Sequence, residues 1–103
     1  MSDSIKLSHT AALILQTVDQ GCRYGFDIMD TTGLPSGTVY PALRRLESEG
    51  LIDSKWEAEK DALAEQRPAR KYYRLTRAGS HVLLQSQKRY PLLEKLSATR
   101  QRG

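Results

Sequence analysis

The stretch that decides the fold reads Tyr24-Gly25-Phe26-Asp27-Ile28-Met29, then Gly33-Leu34-Pro35-Ser36-Gly37-Thr38-Val39-Tyr40-Pro41-Ala42-Leu43-Arg44-Arg45-Leu46, and closes at Gly50. It describes two helices with a tight break at Gly33-Leu34-Pro35. Glycine tolerates the positive φ that commonly ends a helix, and proline fixes φ for entry into the next one. In the second helix Val39, Ala42, Leu43 and Leu46 follow the i, i+3, i+4, i+7 spacing of one buried face. The opposite face carries Gly37, Pro41, Arg44 and Ser48, flanked by Tyr40 and Arg45. Small residues, a phenol and guanidiniums suit a phosphate backbone and base edges better than a core. The pattern predicts a helix-turn-helix whose groove-reading helix spans residues 36–49.

Two residues in this stretch read two ways. Pro41 lies about one turn into its helix, where an interior proline forfeits at most one backbone hydrogen bond. It either stiffens the helix or shapes a contact surface for DNA. Gly25 is a poor helix residue, weaker than Ala by about 1 kcal/mol. It is either a helix-start glycine or a point where another backbone, or a DNA phosphate, comes close.

Upstream, Ser8 is placed to cap a first helix, with Leu7 stapled onto its first turn. Ala11, Ala12, Ile14, Leu15 and Val18 give that helix an apolar face, and Gly21 closes it. Phe26, Ile28 and Met29 are expected to pack on this helix and on the inner face of the third. Downstream, Leu51-Ile52-Asp53-Ser54-Lys55-Trp56 alternates as a strand with Ile52 and Trp56 on one face, an alternation that favours Trp56 in the core. A second strand is expected at Lys71-Tyr72-Tyr73-Arg74-Leu75, with Tyr73 and Leu75 sharing a face. The polar stretch between them is long for a hairpin loop. Residues 58–66 can form a helical turn, whereas Arg67-Pro68-Ala69-Arg70-Lys71 is basic and held extended by Pro68. Thr76 reads as the cap of a last apolar-faced helix, which Pro91 interrupts.

Length and composition bound the function. A chain of 103 residues fits one domain with a modest core. The net charge of +4 is compatible with a polyanionic partner. Its distribution says more: residues 67–77 hold five basic residues and no acid, and residues 57–65 hold four acids against one Lys. The lone Cys22 allows no intramolecular disulfide and suits a reducing cytoplasm. The N-terminus starts no secretory signal, and no run approaches a membrane span. Two His, one Cys and scattered acids offer no nucleophile–base pair, metal spacing or phosphate loop, so no catalytic residue, metal or cofactor is expected.

Three helices followed by a hairpin with a basic arm describe a winged helix-turn-helix, mainly α with a small β hairpin (α+β). Ser36 and Thr38 bring hydroxyl donors to the helix start, Tyr40 can pack on a sugar or bond a phosphate, and Arg44 can reach a guanine edge or a phosphate. Arg67, Arg70 and Lys71 on the wing can clamp the backbone or minor groove. Each feature also has a plainer reading. The charge run can be a solvated face, and Arg44 and Arg45 can pair with Glu47 or Glu49. The rival reading is a winged helix that docks an acidic protein and binds no DNA.

The same residues resemble the PadR family of transcriptional regulators over about residues 7–80. The likeness rests on Tyr24-Gly25-Phe26-Asp27-Ile28, the run from Leu34 through Thr38-Val39-Tyr40-Pro41 to Glu47, Gly50-Leu51-Ile52, Trp56-Glu57, Arg67-Pro68, and Arg70-Lys71-Tyr72-Tyr73-Arg74-Leu75-Thr76-Arg77-Ala78-Gly79. The resemblance implies a winged-helix repressor, a homodimer through its last helix on a palindromic operator of double-stranded DNA. It places Ser36, Gly37, Thr38, Tyr40, Pro41 and Arg44 on the DNA-facing helix and Arg67, Arg70 and Lys71 on the wing. Residues 1–76 then form the DNA-binding domain and 77–103 a helical dimerisation segment, one compact domain overall. The expected pairing stripe is Leu83, Tyr90, Leu93 and Leu96, with the first helix sharing the interface; the alternative is that the tail's apolar residues fold back on the monomer. Short-tailed members are the nearer likeness, since only about two dozen residues follow Gly79. A small hydrophobic effector, such as a phenolic compound at the dimer interface, is also implied.

Overall fold

The computed structural model describes residues 7–89. The elements run α1 (His9–Asp19), α2 (Gly25–Thr32), α3 (Ser36–Ser48), β1 (Ile52–Trp56), α4 (Glu59–Ala64), β2 (Lys71–Leu75) and α5 (Arg77–Arg89). Helix α1 is central and packs on α2, α3, α5 and β2. The Ser8 hydroxyl accepts from the Ala11 amide at 3.0 Å, the expected cap, and Leu7 is buried behind it. Ile14, Leu15, Ile28, Val39, Leu43, Leu46, Leu51 and Ile52 form the fully buried centre. Each such aliphatic side chain contributes about 1.5–3 kcal/mol relative to exposure.

The break between α2 and α3 follows its sequence. Gly33 stands at φ 75°, and its N–H donates to Met29 O. Pro35 then precedes α3 in extended backbone at φ −74°. The apolar stripe of α3 turns inward: Val39 and Leu43 are fully enclosed and Ala42 is half-buried.

Strands β1 and β2 pair antiparallel, Ile52 opposite Leu75, Ser54 opposite Tyr73 and Trp56 opposite Lys71. Tyr24 adds an isolated bridge to Tyr72, and the Tyr73 amide donates to Arg23 O at 2.8 Å, so the hairpin is tied to the start of α2. Tyr73 is buried, the packing role expected of it. Thr76 joins the hairpin to α5. Its hydroxyl donates to Gly50 O at 2.7 Å and accepts from the Gly79 amide at 3.0 Å. Gly79 lies directly on the Leu51 carbonyl, where an added Cβ would overlap the oxygen.

Two packing expectations are corrected. Phe26 is 70% exposed. Residues two apart on a helix are separated by about 200°, so Phe26 cannot share the inward face of Ile28. Trp56 is 63% exposed although it shares a strand face with the buried Ile52. It sits at the far end of the ladder, opposite Lys71, where it borders a cleft and not the core. Leu83, expected on the pairing stripe, packs inward at 4% exposure as part of the core, and Leu84 points outward. Tyr90, Leu93 and Leu96 lie outside the described residues.

Candidate nucleic-acid interface

Helix α3 presents its outer ridge because its apolar stripe is spent on the core. Ser36, Gly37, Pro41 and Arg44 are exposed along that ridge, with Thr38 half-buried at its edge. Pro41 is a full member of the helix. Arg45 bonds Glu49 one turn on, at 3.5 Å, an exposed pair of little energetic weight. Among the described residues Arg44 makes no ion pair, so its guanidinium remains available to a ligand. Glu47 is engaged across the hairpin, accepting from the Ser54 hydroxyl and lying 3.9 Å from Lys71 Nζ.

A cleft of about 590 Å³ opens between this ridge, the start of α2 and the base of the hairpin. Tyr40, Arg67, Arg70 and Lys71 meet there, together with the exposed Phe26 and Trp56. Gly25 explains the position of Tyr40. A Cβ at residue 25 would stand 2.5 Å from Tyr40 Cε1 and 2.6 Å from its hydroxyl oxygen. The close neighbour that Gly25 admits within the chain is thus a side chain of α3, not another backbone.

The three wing cations differ. The Arg67 guanidinium forks onto Glu57, with the Nη2–Oε2 bond at 2.8 Å, and is largely enclosed. That bond holds the Glu57 carboxyl below the ordinary carboxylate range against the opposing effect of burial, with a further contribution from the Arg70 amide. The Glu57 amide donates to Arg70 O at 2.7 Å, and Glu57 Oε1 accepts from the Arg70 amide at 3.3 Å. Glu57 therefore closes the loop that carries α4. Arg70 is exposed, with its guanidinium carbon 4.8 Å from the centre of the Tyr24 ring. Lys71 Nζ lies 5.8 Å from the Trp56 ring and 6.0 Å from the Tyr73 ring. Burial, then the nearby Glu47, raises the Tyr73 phenol pKa, so it stays neutral at physiological pH.

On the other flank of α3, Thr38, Pro41 and Arg45 line a shallow groove against the start of α1. Cys22 is buried, with its sulfur 3.4 Å from the Thr31 hydroxyl. Among the described residues no group of His, Cys, Asp and Glu is arranged to hold a metal, and no helix is long and apolar enough to cross a membrane.

Comparison with known proteins gives this geometry its context. The sequence matches a model of the transcriptional regulator PadR-like family over residues 14–85. A PadR family transcription regulator from Clostridium difficile R20291 superposes with a TM-score of 0.71 at 28% identity, over 89% of this chain and 97% of that one. The smu.1704 protein of Streptococcus mutans UA159 gives 0.68 at 28% identity, over 91% and 87%. Wild-type MarR from E. coli, at 12% identity with a TM-score of 0.67 over 81% and 57%, shares the fold alone. No match was found among the curated proteins. A family match that runs through both helices of the break, the hairpin and most of α5, with a PadR family regulator superposing over 89% of this chain, makes this chain a member of the PadR-like family of transcriptional regulators, a DNA-binding regulator and not an enzyme.

Proposed function

We propose that the chain is a sequence-specific repressor that binds a palindromic operator as a homodimer in the cytoplasm. The observation that carries this reading is Arg44, exposed on the outer ridge of α3 and unpaired among the described residues, beside a cleft lined by Arg70 and Lys71. Helix α3 enters the major groove, Arg44 reads a base edge, and Ser36 and Thr38 hold phosphates. Gly37 and Pro41 keep the ridge low enough for close approach. Tyr40, Arg70 and Lys71 grip the flanking backbone, and Arg67 supports the wing from its bond to Glu57. Residues 77–103 pair the two copies through Tyr90, Leu93 and Leu96, with Leu84 as the outward residue of α5 in place of the buried Leu83. A small hydrophobic effector at that interface releases the operator.

Selection of bound duplexes from a random pool tests this. The expected product is one enriched motif with two-fold symmetry. Recovery of no enriched motif contradicts a sequence-specific regulator, and an enriched motif without symmetry contradicts the homodimer.

A further inference from the structure

Five large apolar side chains stand exposed among the described residues, and three of them, Phe26, Tyr40 and Trp56, line the one cleft at the base of the hairpin. The other two, Leu63 and Leu84, are on separate helices. Exposed aromatics scattered singly need no explanation, but a cluster in a concavity marks a binding surface. The charge around it is one-sided. Arg67, Arg70 and Lys71 line the cleft and no Asp or Glu does, although Arg67 is matched by Glu57 and Lys71 lies 3.9 Å from Glu47. The groove on the other side of the hairpin is mixed in charge, with Glu47, Asp53 and Asp61 beside Arg23, Lys55 and Arg74, so the one-sided excess of cations belongs to the cleft of Phe26 and Tyr40.

We infer that this cleft is a subsite for the deoxyribose–phosphate backbone of one DNA strand, with Phe26, Tyr40 and Trp56 packed on the sugars and Arg70 and Lys71 on the phosphates between them. Sugars present apolar C–H faces at regular spacing along a polyanion, and aromatic walls with a cationic rim match that alternation. The cleft adjoins the outer ridge of α3 through Tyr40, so a strand lying in it is continuous with the groove that α3 enters. Backbone contacts carry no sequence information directly, so Phe26 and Trp56 set affinity and register while base choice stays with the ridge. The inference rests on the DNA-binding reading above and assigns Phe26 and Trp56 a role in it.

The test uses the full chain and a mixed-sequence duplex at low ionic strength. Trp56 is the sole tryptophan and borders both this cleft and the groove on the other side of the hairpin, so intrinsic emission reports on this end of the hairpin. Duplex binding, followed by anisotropy of labelled DNA, is expected to change Trp56 emission. Phe26→Ala and Trp56→Ala, both exposed and expected to melt with the parent, should each weaken duplex binding about tenfold, equally across sequences. The salt slope should not change, since neither variant removes a phosphate-pairing charge. Inorganic polyphosphate, an anion without sugars, should bind parent and variants alike. Duplex binding with unchanged emission and full affinity in both variants overturns the subsite while leaving DNA binding intact. An equal loss of polyphosphate binding overturns the sugar assignment. Failure of the parent to bind any duplex overturns the DNA-binding reading itself and the subsite with it.

Discussion

The ring of Tyr40 lies on the Cα of Gly25, with its Cε1 only 2.5 Å from where a Cβ would stand. One glycine on α2 thereby fixes the direction of a phenol on α3, at the edge of the surface proposed to meet DNA. Gly25→Ala is expected to displace the phenol, because the clashing atoms belong to the free end of a side chain. The fold should survive, with a stability change within about 1 kcal/mol. Duplex affinity should fall by about the amount lost in Tyr40→Ala, and Gly25→Ala should add nothing further in the Tyr40→Ala background. Additive losses in this double-mutant cycle would show that Gly25 acts by some other route.

Gly79 makes the opposite kind of contact. A Cβ there would overlap the Leu51 carbonyl oxygen and lie 3.0 Å from its carbon, and backbone cannot swing aside. Gly79→Ala should destabilise the chain by about 1–3 kcal/mol in chemical denaturation. Ser80→Ala, one residue on and exposed, should stay within about 0.5 kcal/mol. Equal melting of the two variants would contradict the seating of α5 on the start of the hairpin.

The Glu57–Arg67 pair sets a pH dependence. The Arg67 hydrogen bond holds the folded-state pKa of Glu57 below its unfolded value. Its contribution is therefore complete above the ordinary carboxylate range and is lost as pH falls through the depressed value. Glu57→Gln keeps the shape and removes the charge. The variant should be less stable than the parent at neutral pH, and the gap should close in acid. A gap that stays constant from neutral to acid pH would mean that the ion pair does not support the wing.

Because Arg67 is committed to Glu57 and Arg70 is exposed, the wing cations should separate experimentally. Arg70→Ala and Lys71→Ala should each lower the salt slope of duplex binding by about one unit. Arg67→Ala should act chiefly on the melting of the wing and leave the slope nearly unchanged. A slope change for Arg67→Ala equal to that of Arg70→Ala would mean that the Glu57 bond gives way to phosphate.

Most of the fold was legible because local rules and tertiary packing agree along this chain. Ser8, Gly33, Pro35, Gly50 and Thr76 each sit at the element boundary their chemistry favours. The stripe of Val39, Ala42, Leu43 and Leu46 set which side of α3 faces the core, and so which residues remain outside. What escaped the sequence depends on distance in space. Trp56 alternates correctly with Ile52, but alternation cannot say that its end of the ladder borders a cleft and not the core. Phe26 was legible in principle, since its two-residue offset from Ile28 already puts it on another face. Glu57 opens a polar stretch and shows no local sign of its bond to Arg67, ten residues on. The seat of Tyr40 on Gly25 joins two helices, and neither residue announces the other.

The most direct test of groove reading by α3 compares Arg44→Ala with the parent on a selected duplex and on a scrambled duplex of the same length. If Arg44 reads a base, the variant should lose about 1–3 kcal/mol on the selected duplex and little on the scrambled one, relaxing preference at one symmetric pair of positions. Full retention of affinity and preference on the selected duplex, measured by anisotropy across a salt series, would contradict the account.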